Sequence, residues 1–89
     1  GYPFHPPTKP EHLRTTHLEN LSCPTLLLQG ERDPFGTKEE VALYPLSAKI
    51  RLAWMADGDH DFKPRVASGH TWKENLGQAA DDAANFIYA

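Results

Sequence analysis

The apolar positions of this chain change their spacing from segment to segment, and each change marks an element. Leu13, Leu18 and Leu21 recur at loose helical spacing behind Pro10, which suits a first helical position, so a short helix is predicted over residues 11–21. Ser22, Cys23 and Pro24 break it. Thr25-Leu26-Leu27-Leu28-Gln29-Gly30 is a continuous apolar run between a proline and a glycine, the pattern of a parallel strand buried on both faces. Residues 31–36 are turn material. Thr37-Lys38-Glu39-Glu40 then has the form in which a threonine caps a helix and a glutamate reaches back to its amide, which predicts a short helix ending by Pro45. Residues 50–56 alternate Ile50, Leu52 and Trp54 with Arg51, Ala53 and Met55, the mark of a second strand with one face more buried. Thr71-Trp72-Lys73-Glu74 repeats the capping pattern ahead of a helical stripe of Leu76, Ala79, Ala80, Ala83, Phe86 and Ile87. Strands alternating with helices predict an α/β fold with a parallel sheet, in one domain.

Composition narrows the class of protein. The 89 residues carry a formal net charge of −3 with no run of like charges, and no Lys/Arg stripe of the kind that neutralises phosphates, so nucleic acid and acidic membrane surfaces are not expected partners. No apolar stretch approaches the roughly 20 residues that span a bilayer, and the first residues lack a basic region followed by an apolar one. A soluble, cytoplasmic protein is expected. The single cysteine, Cys23, cannot form an internal disulfide and is expected to be a small buried hydrophobe. No cofactor and no metal is expected. Asp57, Asp59 and Asp61 alternate as in a calcium loop, but Phe62 and Ser68 stand where that loop needs its glycine and its bidentate glutamate. His12 and His17 are too far apart for one helical zinc face; they and His70 read as surface residues, and His5 as packed into the proline-rich lead-in. Trp54 and Trp72 read as core, and Lys63 and Arg65 as solvated.

In open parallel sheets ligands bind beyond the carboxyl ends of the strands, and both predicted strands end in a turn rich in titratable groups. The first is Gly30-Glu31-Arg32-Asp33-Pro34-Phe35-Gly36; the second is Asp57-Gly58-Asp59-His60-Asp61-Phe62-Lys63-Pro64. If the strands are neighbours, Asp33 and His60 share a rim, and an Asp that accepts a hydrogen bond from a histidine ring fixes its tautomer and stabilises the imidazolium. Asp33-Pro34 is also an ordinary turn initiator, and a histidine in a polar loop is ordinarily solvated. Spacing alone leaves both readings open.

These two turns, together with the lead-in Gly1-Tyr2-Pro3-Phe4-His5-Pro6-Pro7 and Lys9-Pro10-Glu11, resemble the dienelactone-hydrolase-like branch of predicted α/β-hydrolases, whose eukaryotic relatives include testis-expressed proteins and a chromatin-complex subunit. The resemblance covers essentially the whole chain. It implies a C-terminal fragment of an α/β-hydrolase fold, two parallel strands with flanking helices, in which Asp33 follows the seventh strand as triad acid and His60 follows the eighth as general base. Residues 1–89 would then form a partial domain, with Gly1 at the end of the sixth strand and the nucleophile-bearing half absent. No Gly-x-Ser-x-Gly elbow occurs, and Ser22, Ser47 and Ser68 lack its flanking glycines. The expected function is that of one part of a serine hydrolase acting on ester, thioester or amide bonds, inactive alone; the alternative is a noncatalytic protein-interaction module. Residues 25–29 would leave an unguarded apolar strand edge, so a homo-oligomer or a complementing N-terminal half is the expected partner.

Overall fold

The computed structural model describes residues 1–88. Strand β1 (Thr25–Gly30) and strand β2 (Ile50–Met55) pair in parallel, with Thr25 opposite Ile50 and Gly30 opposite Met55. Between them lies helix α2 (Lys38–Val41), ahead of β1 lies helix α1 (Thr16–Glu19), and after a 3₁₀ turn at Val66–Ser68 the chain ends in helix α3 (Trp72–Tyr88). Both predicted capping boxes form. The Thr37 hydroxyl accepts from the Glu40 amide and the Thr71 hydroxyl from that of Glu74, while each glutamate accepts from its threonine's amide.

Because strand side chains alternate, Leu27, Ile50, Leu52 and Trp54 share one face of the sheet, and Leu26, Leu28 and Ala53 share the other. The first face packs on the buried residues Phe4, Leu18 and Val41, contributed by the lead-in, α1 and α2. On the second face α3 crosses β2 and β1 and buries Ala79. The result is an α/β architecture of two parallel strands with flanking helices. No helix among the described residues is long and apolar enough to cross a membrane.

Several expectations need correction. The helix over residues 11–21 shrinks to α1, because the Arg14 amide donates to the Phe4 carbonyl at 2.7 Å instead of to a helical partner, and His12 is drawn into a turn with Lys9. Thr15 then starts the helix without a side-chain cap. Cys23 is exposed, lying in the loop before β1 rather than in the core. On α3 the predicted Ala79, Ala83 and Phe86 do turn inward, joined by Asn75 and Asp82, whereas Leu76 is 47 % exposed and Ile87, at the rim of a groove, 70 %. Burial of β1 on both faces is incomplete as well: Leu26 and Leu28 line an open groove of about 380 Å³ with Pro24, Ala83, Phe86 and Ile87.

The lead-in is fastened to the sheet through side chains. Gln29, fully buried, accepts from the Tyr2 amide at 2.7 Å and donates to the carbonyls of Tyr2 and Gly36 at 3.0 and 3.2 Å, so every polar atom of its amide is used. Among the described residues no main-chain ladder joins residues 1–4 to β1, so Gly1 does not lie in a strand here. His5, 2 % exposed, sits between the Pro6 carbonyl, 2.8 Å from Nδ1, and a Glu40 carboxylate oxygen, 3.0 Å from Nε2. Neither a carbonyl nor a carboxylate can donate, so the site favours the imidazolium, in which both ring nitrogens do. Burial disfavours that charge, but the Pro6 carbonyl and Glu40 outweigh it and raise the His5 pKa; hydrogen bonding from the Thr37 backbone, aided by His5, lowers that of Glu40.

The sign of the pH dependence follows. A raised histidine pKa adds stability that is complete below its ordinary value of 6.5 and is lost as pH rises through the folded value; a lowered glutamate pKa adds stability present above its ordinary 4.5. The thermal midpoint is therefore expected to fall as pH rises above about 6.5, and His5→Ala to flatten that slope. Calorimetry showing parallel pH profiles for the two proteins would exclude the His5–Glu40 pair as the source of the slope.

Candidate active site

Parallel pairing with Gly30 opposite Met55 ends both strands at the same level, so their turns meet. They are stitched by main-chain bonds: the Glu31 amide donates to the Met55 carbonyl at 3.2 Å and the Arg32 amide to that of Gly58 at 2.9 Å. Gly30 is required at this crossing. A Cβ there would drive into the Gly58 and Asp59 carbonyl oxygens, which are backbone atoms unable to rotate aside.

Asp33 is fully buried and its carboxylate oxygens have separate tasks. One accepts from the Phe35 amide at 2.8 Å, closing the turn; the other lies 2.8 Å from Nδ1 of His60. A carboxylate can only accept, so Nδ1 carries the proton, and in the neutral ring Nε2 then presents a lone pair. The His60 side chain is 35 % exposed and lies against the Phe35 ring at 4.4 Å between centroids; its Nε2 makes no hydrogen bond among the described residues. Gly1 closes the other side. Its nitrogen donates to the His60 carbonyl at 3.2 Å, and a Cβ on it would collide with Asp33 Oδ2. The structure thus brings together Asp33 and His60, the two residues that the sequence marks as a pair.

The surrounding charges are structural. Asp57 receives the Arg65 guanidinium on both oxygens, at 2.6 and 3.1 Å, and the Arg65 amide at 2.9 Å, while Arg32 lies 3.2 Å away. The Arg65 side chain, then its amide, and the two guanidinium charges hold the Asp57 carboxyl far below the usual range. Arg65 is therefore paired while its side chain stays 65 % exposed, as expected for a solvated residue. Asp59 folds its own turn by accepting from the Asp61 and Lys63 amides at 2.8 and 3.0 Å. No group of three His, Cys, Asp or Glu side chains among the described residues could hold a metal ion. Trp72 is 46 % exposed instead of core, its indole nitrogen donating to the Asp61 carbonyl at 3.0 Å and Lys63 lying 5.5 Å over its ring.

Sequence reasoning missed Gln29, Gly30 and Asn75. A glutamine and a glycine closing an apolar strand were the available signals for the first two. Asn75, 4 % exposed, donates both amide hydrogens into the second turn, to the Ala56 carbonyl at 2.9 Å and that of Phe62 at 2.8 Å. Asp57 (φ 53°) and Phe62 (φ 68°) flank His60 in the left-handed region, a conformation costing about 1–3 kcal/mol for side chains of this kind.

The family described as alpha/beta hydrolase domain matches residues 1–88, and the chain belongs to it. No curated protein and no solved structure matches the chain.

Gly30→Ala is expected to destabilise the protein by about 1–3 kcal/mol, through overpacking at the crossing, and to separate His60 from Asp33. Denaturant titration together with the His60 Nδ1 proton resonance checks both. A folded variant with an unshifted resonance would show that the crossing does not set the pair.

Proposed function

We propose that this chain supplies the acid and the general base of a serine-hydrolase triad, Asp33 and His60, within a dienelactone-hydrolase-like α/β-hydrolase. The observation that carries the reading is the 2.8 Å contact between Asp33 Oδ2 and His60 Nδ1, with Nε2 left open at the rim. Nε2 would accept the proton of an attacking serine hydroxyl, Asp33 would stabilise the resulting imidazolium, and His60 would return the proton to the leaving group of an ester, thioester or amide. The serine belongs on a Gly-x-Ser-x-Gly turn, which these 89 residues do not contain. Residues 1–89 thus act as a partial domain, completed by a nucleophile-bearing segment.

The open side of β1 supports a matching proposal about assembly. Leu26, Leu28, Phe86 and Ile87 line a groove next to a strand edge that the lead-in leaves unpaired, and such an edge pairs readily with another chain. In isolation its occupant is a second copy of this chain; a nucleophile-bearing half would compete for the same edge.

The purified chain is expected to hydrolyse p-nitrophenyl acetate no faster than His60→Ala. Turnover that survives dialysis and vanishes in the variant would reveal a nucleophile inside the chain. Joined to a Gly-x-Ser-x-Gly segment that restores activity, the chain should lose about 10⁴-fold in kcat on Asp33→Asn, the cost of the wrong tautomer in a serine protease. A loss of less than about tenfold removes Asp33 from the mechanism. Sedimentation of the isolated chain is expected to show dimers or larger species with slowly exchanging amides over residues 25–29. A monomer whose β1 amides exchange freely contradicts the assembly proposal.

A further inference from the structure

We infer that Asn75 is the positioning residue of His60, holding the loop that carries the ring at the height where Nδ1 meets Asp33. The inference rests on the reading of His60 as the general base. The loop leaves β2 at Ala56 and turns back at Phe62, and Asn75 grips both ends, one amide hydrogen on each carbonyl. Several other hydrogen bonds that shape the loop are internal. Gly58 bonds back to Met55, Asp59 and Lys63 pair through their main chains, and the Asp59 carboxylate gathers the amides of Asp61 and Lys63. They fix the loop's shape but not its placement on the sheet. The acid turn ties the loop's first residues, Arg32 donating to the Asp57 and Gly58 carbonyls and Glu31 accepting from the Asp57 amide. The Gly1 nitrogen donates to the His60 carbonyl, and Trp72 reaches the Asp61 carbonyl from a half-exposed position. Asn75 alone of the α3 side chains spans the loop from a buried position, where water cannot take over its bonds.

The residue type matters. Asparagine offers two donors a fixed distance apart from a short side chain. Aspartate of the same shape would turn a carboxylate toward two carbonyl oxygens, leucine would leave both buried and unsatisfied, and glutamine is one methylene too long for the space. With the grip released, the left-handed conformations at Asp57 and Phe62 lose their support, and the loop can relax away from the acid.

The test is read on the protein alone, without turnover. In the isotopically labelled chain, scalar couplings across hydrogen bonds are expected from Asn75 Nδ2 to the carbonyl carbons of Ala56 and Phe62. In Asn75→Ser, which keeps a small polar side chain but cannot bridge both carbonyls, the His60 Nδ1 proton resonance is expected to broaden into water. Amides of residues 58–63 should exchange at least about tenfold faster, as for a locally opening segment, while those of residues 26–29 stay within about threefold. A folded Asn75→Ser or Asn75→Asp protein with the His60 resonance and loop exchange unchanged overturns the inference, as does uniform acceleration across β1 and loop alike, which would mark a purely global role. If neither variant folds, the couplings in the unaltered chain decide, and their absence refutes the grip. Hydrolysis by a completed enzyme that survives His60→Ala would defeat the general-base reading while leaving these spectra as they are, so the two failures are distinguishable.

Discussion

The parallel register of β1 and β2 is the constraint on which everything else depends. Because Gly30 faces Met55, both strands release their chains at one level, and the two turns that follow are forced into contact. A shift of one residue would move the apolar side chains of β1 to opposite faces, taking Leu27 off the Phe4, Leu18 and Val41 core and Gln29 away from Tyr2. The site is thus specified by hydrophobic packing several residues away from it.

Around that register the protein spends its polar side chains on fastening segments of main chain. Gln29 holds the lead-in, Asp59 shapes the histidine turn, Asn75 joins it to α3, and Asp57 ties Arg65 and Arg32 beneath it. Every buried side-chain nitrogen and oxygen among the described residues has a partner. In so thin a core this matters, because an unsatisfied buried polar group costs about 1–3 kcal/mol, a large share of what a small domain has to spare.

What could be read in advance follows the range of the forces involved. Strands, capping boxes and the Asp33 and His60 turns are local patterns, and all were legible. The helix over residues 11–21 was not, because the Arg14 amide is claimed by Phe4, a contact that no spacing rule contains. The α3 stripe was legible only in part. Ala79, Ala83 and Phe86 face inward as the stripe predicts, while Asn75, which no hydrophobic pattern includes, joins them because two carbonyls from another element claim its amide. Gln29 escaped notice likewise, since its purpose is visible only once Tyr2 lies beside it.

The site is also assembled from the far corners of the chain. Asp33 and His60 are 27 positions apart, and Gly1 touches His60 across 59. Contacts of such long range form late, since loop closure must precede them. Until the histidine loop arrives, the acid turn has no partner for a carboxylate oxygen that ends up sealed from water, and an uncompensated charge in that position is strongly unfavourable. The site is therefore finished only when the two turns meet, and a chain that loses β2 loses not only its histidine but the burial of its acid.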